Sequence, residues 1–85
     1  MKLVFDPEAL EDLRHWINTD RRKALKIIDL IENILASPFA GLGKPEPLKF
    51  ELAGCWSRRI DQEHRLIYKI EGGALVILAC RYHYG

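Results

Sequence analysis

The chain has 85 residues, 48% of them hydrophobic, which predicts one domain spanning residues 1–85 around a single core. Its two cysteines exclude a disulfide-rich scaffold, and a net charge of only +1 does not by itself indicate a nucleic-acid partner. The longest apolar run, Ala74 to Cys80, is too short to span a bilayer, and no charged-then-apolar leader opens the sequence, so a soluble cytoplasmic protein is expected.

Two amphipathic helices are predicted in the first half, after a short β-prone run at residues 2–5. Asp6 is a suitable N-cap for the first helix, and residues 18–20 separate it from the second, which ends at Ser37 and Pro38. The two helices are expected to form an antiparallel hairpin. Helical spacing of apolar residues predicts one buried stripe on each: Ala9, Leu10, Leu13, Trp16 and Ile17 on the first, and Ala24, Ile27, Ile28, Ile31, Ile34 and Leu35 on the second.

The second half is predicted to form an antiparallel sheet. Residues 39–47 are rich in glycine and proline and are expected to be a loop. β-Prone segments follow at residues 48–52, 55–60, 64–70 and 74–83, separated by glycine-containing or acidic turns. The predicted fold class is therefore α+β, with two N-terminal helices packed on one face of a twisted, mainly antiparallel β-sheet.

Alternation along these strands predicts which side chains share a face. The even positions of the first three strands are mostly apolar and should face the helices: Leu48, Phe50, Leu52, Trp56, Ile60, Leu66, Tyr68 and Ile70. The odd positions should face solvent with Lys49, Ser57, Arg59, Arg65 and Lys69. The last strand is apolar at both parities, as expected of a central strand. Odd-numbered loops in the last two hairpins would bring Arg81 and His83 to this odd face, whereas two-residue turns would separate them from it.

The odd face holds groups suited to cutting RNA without a metal. That reaction needs a base for the ribose 2′-hydroxyl, an acid for the leaving 5′-oxygen, and cations for the phosphate charge. Glu46, held between two prolines at the border of the face, and His83 can supply the acid–base chemistry. Phosphate-binding cations are available from Arg59, Arg65 and Lys49.

Each candidate also has a simpler explanation. Glu46 alone is more often a solvated loop carboxylate, and His83 alone a surface imidazole. A simpler explanation also covers Arg58, Arg59 and Arg65, which can be ordinary solvent-facing strand charges or can pair with neighbouring carboxylates. Those carboxylates are Glu51, Asp61 and Glu63. Grouping on one face, with Tyr82 and Tyr84 available to stack on a base, is what favours an RNA site.

Several motifs together resemble one known family along essentially the whole chain. They are G-L-G-K-P-E-P-L-K at residues 41–49, W-S-R-R-I at 56–60, E-H-R-L-I-Y at 63–68 and C-R-Y-H-Y at 80–84. In combination they resemble the YoeB toxins of the RelE/ParE superfamily, from bacterial type II toxin–antitoxin systems. The resemblance implies a RelE/ParE-like microbial ribonuclease fold and a ribosome-dependent endoribonuclease, an mRNA interferase that cleaves mRNA in the ribosomal A site and inhibits translation.

The resemblance also implies roles for individual residues. Glu46 would be the general base, His83 the general acid, and Arg65 the stabiliser of the transition state. Three further residues would position the RNA and its phosphate: Lys49, Arg59 and Tyr84. Alternation places Tyr84 nominally on the other face, and a frayed or bulged chain end would remove that conflict. No metal or other cofactor is implied.

The implied partners are a cognate YefM-like antitoxin, mRNA and the A site of the 70S ribosome, with homodimerisation also expected and no membrane. An acidic or disordered antitoxin segment that folds on binding would suit the cationic face. The competing function is a non-enzymatic ParE-like toxin that acts by binding DNA gyrase. Inhibition of gyrase with translation unaffected would favour that alternative.

Overall fold

Two helices lie against one face of a five-stranded sheet in the computed structural model, which describes residues 1–82. The predicted α+β fold class is confirmed. The elements follow the chain as β1 (Lys2–Phe5), α1 (Pro7–Thr19), α2 (Arg21–Ala36), β2 (Glu46–Pro47), a 3₁₀ turn (Phe50–Leu52), β3 (Trp56–Arg59), β4 (Arg65–Glu71) and β5 (Ala74–Ala79).

Side-chain caps set the helix boundaries close to where the sequence predicted them. Asp6 begins α1 by accepting a hydrogen bond from the backbone N–H of Glu8. Asp20 ends α1 and caps α2, because its carboxylate accepts from the backbone N–H groups of Arg22 and Lys23. A single residue therefore joins the two helices. Neither helix within residues 1–82 has the length and apolar character needed to cross a membrane.

The strands lie in the order β1, β5, β4, β3, β2, with β1 parallel to β5 and the other neighbours antiparallel. The central position predicted for the last strand is confirmed, because β5 lies between β1 and β4. Its two-sided apolar composition follows from that place, since it has a neighbouring strand on each edge and packed side chains on both faces.

The main core fills the space between the helices and the sheet. Its fully or nearly fully buried members are Ala9, Trp16, Ala24, Ile27, Leu30, Ile31, Ile34, Ile60, Leu66, Tyr68, Leu75, Ile77 and Cys80. The predicted stripes were too wide, because Leu10, Ile17, Ile28 and Leu35 are exposed. The helices rest on a single sheet, so only the central part of each apolar stripe is covered.

Both cysteines are free thiols: Cys55 is half-buried and Cys80 is fully buried. Burial, with a smaller contribution from the neighbouring Asp12 carboxylate, raises the pKa of the Cys80 thiol to about 12. The backbone at Cys80 is held as well, since its N–H donates to Asp12 Oδ2 at 3.0 Å and its carbonyl accepts from the indole N–H of Trp16 at 2.7 Å. The end of the sheet is thereby fixed to α1.

The predicted strand at residues 48–52 is wrong. Only Glu46–Pro47 pairs as a strand, and the chain then reverses tightly through the 3₁₀ turn, with the Leu48 N–H donating to the Cys55 carbonyl. Phe50 was expected on the helix-facing side, yet it is 85% exposed and has a φ of 57°. A left-handed residue reverses the chain and ends the alternation on which that expectation depended.

The sheet face away from the helices is partly apolar at its centre. Ile67 and Ala79 are buried there, and together with Leu52 of the 3₁₀ turn they line a small hollow of about 120 Å³. Ser57 was predicted to face solvent, but it is only 4% exposed. This open face therefore has a covered centre, and its exposed cations lie beyond that centre.

The two final hairpins differ in parity. Arg59 lies opposite Arg65 across an odd-numbered loop, as expected, but Glu71 lies opposite Ala74 across the two-residue Gly72–Gly73 turn. The condition of odd loops in both hairpins is therefore met only in the first, and the second has the two-residue turn that was the stated alternative. A β-bulge corrects the register further along, so that Ile67 lies opposite Ala79. Beyond the bulge, odd-numbered residues of β4 and β5 lie opposite each other and share a face. The strand ends at Ala79, short of the predicted residue 83.

Candidate active site

Glu46 lies in the short edge strand β2, between two prolines. A residue that precedes proline is restricted to extended backbone, and this matches the pairing of Glu46 with Ser57 on β3. The chain is also held on both sides of β2: the Gly43 carbonyl accepts from the Arg59 N–H at 2.7 Å, and the Leu48 N–H donates at 2.9 Å to Cys55. The Glu46 side chain is exposed on a fixed backbone.

Strand register brings Glu46 to the same face as Arg59 and Arg65. Glu46 lies opposite Ser57, Ser57 is two residues from Arg59 on β3, and Arg59 lies opposite Arg65 on β4. With strands about 4.8 Å apart and a rise of about 3.3 Å per residue, the Cα atoms of Glu46 and Arg65 are separated by about 12 Å. A phosphodiester placed between them is within reach of both side chains.

The Arg65 guanidinium is oriented by carbonyl groups of the β3–β4 turn. Its Nη1 lies 3.2 Å from the backbone oxygen of Asp61 and about as near to those of Gln62 and His64, at 3.5 and 3.4 Å. These neutral acceptors hold the side chain without cancelling its charge. Arg65 is half-buried, so it presents a partly desolvated cation to the open face.

No ion pair neutralises Arg59 or Arg65 within residues 1–82, so the predicted alternative of pairing with Glu51, Asp61 or Glu63 is contradicted. The Asp61 carboxylate instead pairs with Lys23 at 3.2 Å. Lys69 differs from the arginines, because its ammonium lies 3.2 Å from the carboxylate of Glu71. The described part of the chain therefore leaves the two arginine charges available to a ligand.

The Asp61 carboxylate organises the turn before Arg65. Burial opposes its ionisation, but hydrogen bonds from the backbone N–H groups of His64 and Glu63 and from Lys23 outweigh that effect. The pKa of Asp61 is consequently below its ordinary value of 3.8. The turn is thus closed by an ionised side chain at neutral pH.

Arg59 also borders a shallow cleft of about 370 Å³ on the side of the domain. Lys26 of α2, Lys44 of the preceding loop and Asp61 line the same cleft. The cationic surface at Arg59 therefore continues around the edge of the sheet.

Lys49 is exposed, as predicted, but it does not lie in a strand. It immediately precedes the 3₁₀ turn at the tip of the hairpin that Glu46 begins, and its carbonyl accepts from the Leu52 N–H at 3.1 Å. Its place is therefore set by the turn, three residues along the chain from Glu46.

Sequence reasoning missed Arg58, which was interpreted as a solvent-facing strand charge and is in fact fully buried. All five of its N–H donors are used, and none of the acceptors is a carboxylate. The acceptors are Tyr68 Oη, Asn33 Oδ1 and the backbone oxygens of Ser37, Ala40 and Leu42. Arg58 therefore fixes the loop that leads from α2 to Glu46. Its even position beside apolar neighbours was the available signal.

His83 and Tyr84 lie outside the described residues, so their predicted places near the open face stay predictions. Tyr82 is the last described residue, and the Arg81 guanidinium lies over its ring at 4.7 Å. The described part of the site is therefore Glu46, Arg59 and Arg65 on one face, with Lys49 at the hairpin tip.

Comparison with known proteins gives the chain close relatives over nearly its whole length. Residues 5–84 match the family described as YoeB-like toxins of bacterial type II toxin–antitoxin systems. Toxin YoeB of Escherichia coli (strain K12) is 51% identical over 84 residues, which cover 99% of this chain and 100% of that protein.

Solved structures agree with the sequence match. A YoeB/ParE toxin from Agrobacterium tumefaciens is similar with a TM-score of 0.96 and 51% identity, covering 99% of this chain and 100% of that one. Two Staphylococcus aureus structures, a YoeB dimer and a heterotetrameric YoeB–YefM toxin–antitoxin complex, give TM-scores of 0.91 and 0.89 at 39% identity, each covering 99% of this chain and 98% of the other. With family, length and fold in agreement, the chain belongs to the YoeB toxins of bacterial type II toxin–antitoxin systems.

Proposed function

We propose that this toxin is a ribosome-dependent endoribonuclease that cuts mRNA in the A site without a metal ion and thereby inhibits translation. One observation supports it above the others: strand register puts Glu46, Arg59 and Arg65 on one exposed face. A carboxylate beside unneutralised guanidinium groups suits acid–base attack on a phosphodiester, whose charge increases towards the transition state.

In the proposed reaction, the Glu46 carboxylate takes the proton of the ribose 2′-hydroxyl, and the 2′-oxygen attacks the adjacent phosphorus. The bond from phosphorus to the 5′-oxygen breaks, and the protonated His83 imidazole gives its proton to that oxygen. The products are a 2′,3′-cyclic phosphate and a 5′-hydroxyl end. Arg65, whose guanidinium donates to the Asp61 carbonyl, stabilises the charge on the phosphoryl oxygens.

Other residues of the face bind and orient the RNA. Arg59 and Lys49 contact phosphates on either side of the cut bond, and the ring of Tyr84 stacks on a base. In this proposal the ribosomal A site presents the mRNA to the face. This division of labour suits a small protein with a shallow, open face, because the ribosome does part of the positioning.

The partners follow from the relatives and from the same surface. A YefM-like antitoxin is the expected inhibitor, since a Staphylococcus aureus relative forms a complex with YefM. Covering Arg59 and Arg65 with an acidic segment would block RNA and neutralise the exposed charge together. Homodimerisation is expected from the relative that forms a dimer, and the cytoplasm is expected because translating ribosomes are there.

The test is cleavage of ribosome-bound mRNA by purified toxin, with and without a chelator, and with cut sites mapped from their 5′-ends. Glu46→Gln and Arg65→Ala should each lower the cleavage rate by about 100-fold or more. Glu51→Gln is the matched control, because Glu51 is an exposed carboxylate in the same hairpin, and it should cut at the parent rate.

Two results would contradict the proposal. One is parent-rate cleavage by both Glu46→Gln and His83→Gln, which would remove the acid–base assignment. The other is inhibition of DNA gyrase with translation unaffected, which would support the non-enzymatic alternative.

A further inference from the structure

Tyr82, which precedes the proposed acid His83, is held at both of its backbone groups. Its N–H donates to His64 Nδ1 at 2.7 Å, and its carbonyl accepts from the Arg65 N–H at 2.7 Å. Its φ of 63° lies in the left-handed region, which a tyrosine rarely adopts. A conformation of this kind persists only where the surroundings enforce it, so the two hydrogen bonds define the course of the chain at this point.

The His64 ring is itself firmly placed. It is only 8% exposed, packs edge-on against Trp16 with ring centroids 4.7 Å apart, and lies 5.6 Å from the ring of Tyr82. Its backbone N–H donates to Asp61 Oδ1 at 2.7 Å, and its carbonyl accepts from the Ile60 N–H at 3.0 Å. Because both the ring and the backbone of His64 are held in place, the ring can hold the Tyr82 backbone N–H that it binds.

The hydrogen bond also determines which ring nitrogen carries the proton. A ring nitrogen that accepts from an N–H group has no proton of its own, so the neutral His64 ring carries its proton on Nε2. That nitrogen lies 3.8 Å from the Glu63 carboxylate, a distance too long for a direct hydrogen bond. His64 therefore acts on Tyr82 as an acceptor.

We infer that His64 is a positioning residue of the toxin, which holds the Tyr82 backbone beside Arg65 so that the chain enters residue 83 from a fixed point next to that arginine. The inference rests on the proposed function, because that point matters to catalysis only if His83 is the acid. Proton delivery requires the acid within hydrogen-bond reach of the leaving oxygen, so loss of the anchor would lower turnover more than mRNA binding.

Three variants separate the acceptor from the packing. His64→Asn keeps an acceptor at the δ position, His64→Gln moves it to the ε position, and His64→Leu removes it while remaining apolar. Turnover at saturating ribosome–mRNA complex should fall by roughly 10- to 100-fold in the Leu and Gln variants with little change in KM, and should be largely retained in the Asn variant. His15→Asn is the matched control, since His15 also packs on Trp16, at 4.8 Å, from α1.

Hydrogen exchange of the Tyr82 amide gives a second, activity-independent measurement. The amide should be protected in the parent and in His64→Asn, and should exchange faster in His64→Leu. Parent turnover in His64→Leu, or equal losses in the Asn and Leu variants, would overturn the inference. Absence of cleavage by the parent toxin would instead refute the proposed function, and with it the catalytic part of the inference, while the amide measurement would still decide whether His64 anchors Tyr82.

Discussion

Arg58 and Arg59 are neighbours in β3, and they show how the two faces of the sheet differ. Arg58 points to the helix side, is fully buried, and gives all its hydrogen bonds to neutral oxygens of one loop and its surroundings. Arg59 points to the open side, is exposed, and has no ion-pair partner within residues 1–82. One step along a strand changes an arginine from a structural cross-link into a surface charge.

The contrast teaches that the helix side fixes the course of the chain, whereas the open side leaves charged side chains exposed. On the helix side, Arg58 joins α2, the following loop and β4, and so sets where the loop delivers Glu46. On the open side, Arg59 has no carboxylate partner within residues 1–82, and we propose that it binds phosphate. Variants at paired positions can therefore test the two faces separately.

The largest expected effect is on stability, from Arg58→Met. The substitution leaves several buried oxygens without donors, so the free energy of unfolding should fall by about 3 kcal/mol or more. Arg59→Met is the matched control and should change stability by no more than about 0.5 kcal/mol. Urea unfolding followed by tryptophan fluorescence measures both, and equal losses in the two variants would abolish the distinction between the faces.

Gly43→Ala should have the next largest effect. A Cβ there would lie 2.9 Å from Leu30 Cδ2 and 3.1 Å from the backbone oxygen of Arg59, and the residue has a φ of 80°. Gly54 also has a positive φ, of 95°, but a Cβ on it would meet nothing within 4 Å. We expect losses of about 2 kcal/mol for Gly43→Ala and about 1 kcal/mol for Gly54→Ala in urea unfolding. Equal losses of stability in the two variants would mean that the positive φ alone, and not the contacts of the added Cβ, determines the cost of each substitution.

Arg59→Met, which should leave stability nearly unchanged, should weaken RNA binding. Loss of one phosphate contact is expected to weaken mRNA binding by about 1 kcal/mol and to reduce the slope of log affinity against log salt by about 1. Lys2→Met is the control, because Lys2 is an exposed cation on β1 at the opposite edge of the sheet. If both variants lowered the slope alike, the open face would have no special place in binding.

The smallest expected effect is that of Asp61→Asn. Asparagine keeps an acceptor for the two backbone N–H groups but loses the charge that faces Lys23. Because the folded-state pKa of Asp61 is below 3.8, its stabilisation is present above that pH and is lost as the pH falls through the folded-state value. The parent should therefore melt slightly above the variant at neutral pH, and the two melting temperatures should converge in acid. A constant difference at all pH values would show that the charge contributes nothing.

Local signals in the sequence predicted the elements whose causes are local. Asp6 and Asp20 cap helices through groups two or three residues away, so their positions could be recognised without knowing the fold. Alternation along the strands likewise predicted that Arg59 and Arg65 share a face, with Glu46 at its border. Their chemical roles, and the places of His83 and Tyr84, stay predictions.

Features that depend on distant parts of the chain were missed. Arg58 is buried because its acceptors come from residues 10 to 25 positions away along the chain, which no strand pattern contains. The 3₁₀ turn at Phe50 brings Leu52 next to Ile67 and Ala79, which lie at least 15 positions further along the chain, so this arrangement could not be recognised from the local pattern. The bond from Tyr82 to His64 joins residues 18 positions apart and was likewise not foreseen.

The β-bulge in the last hairpin has a consequence for insertions and deletions in this family. The even turn at Gly72–Gly73 and the bulge beside Ile67 each displace the register by one residue, and their combination returns the strand end to the face of Arg65. A longer, odd-numbered loop without a bulge would reach the same register. A one-residue insertion in the Gly72–Gly73 turn should therefore preserve the register at the end of the strand only if the bulge beside Ile67 is lost at the same time. The turn and the bulge should accordingly change length together.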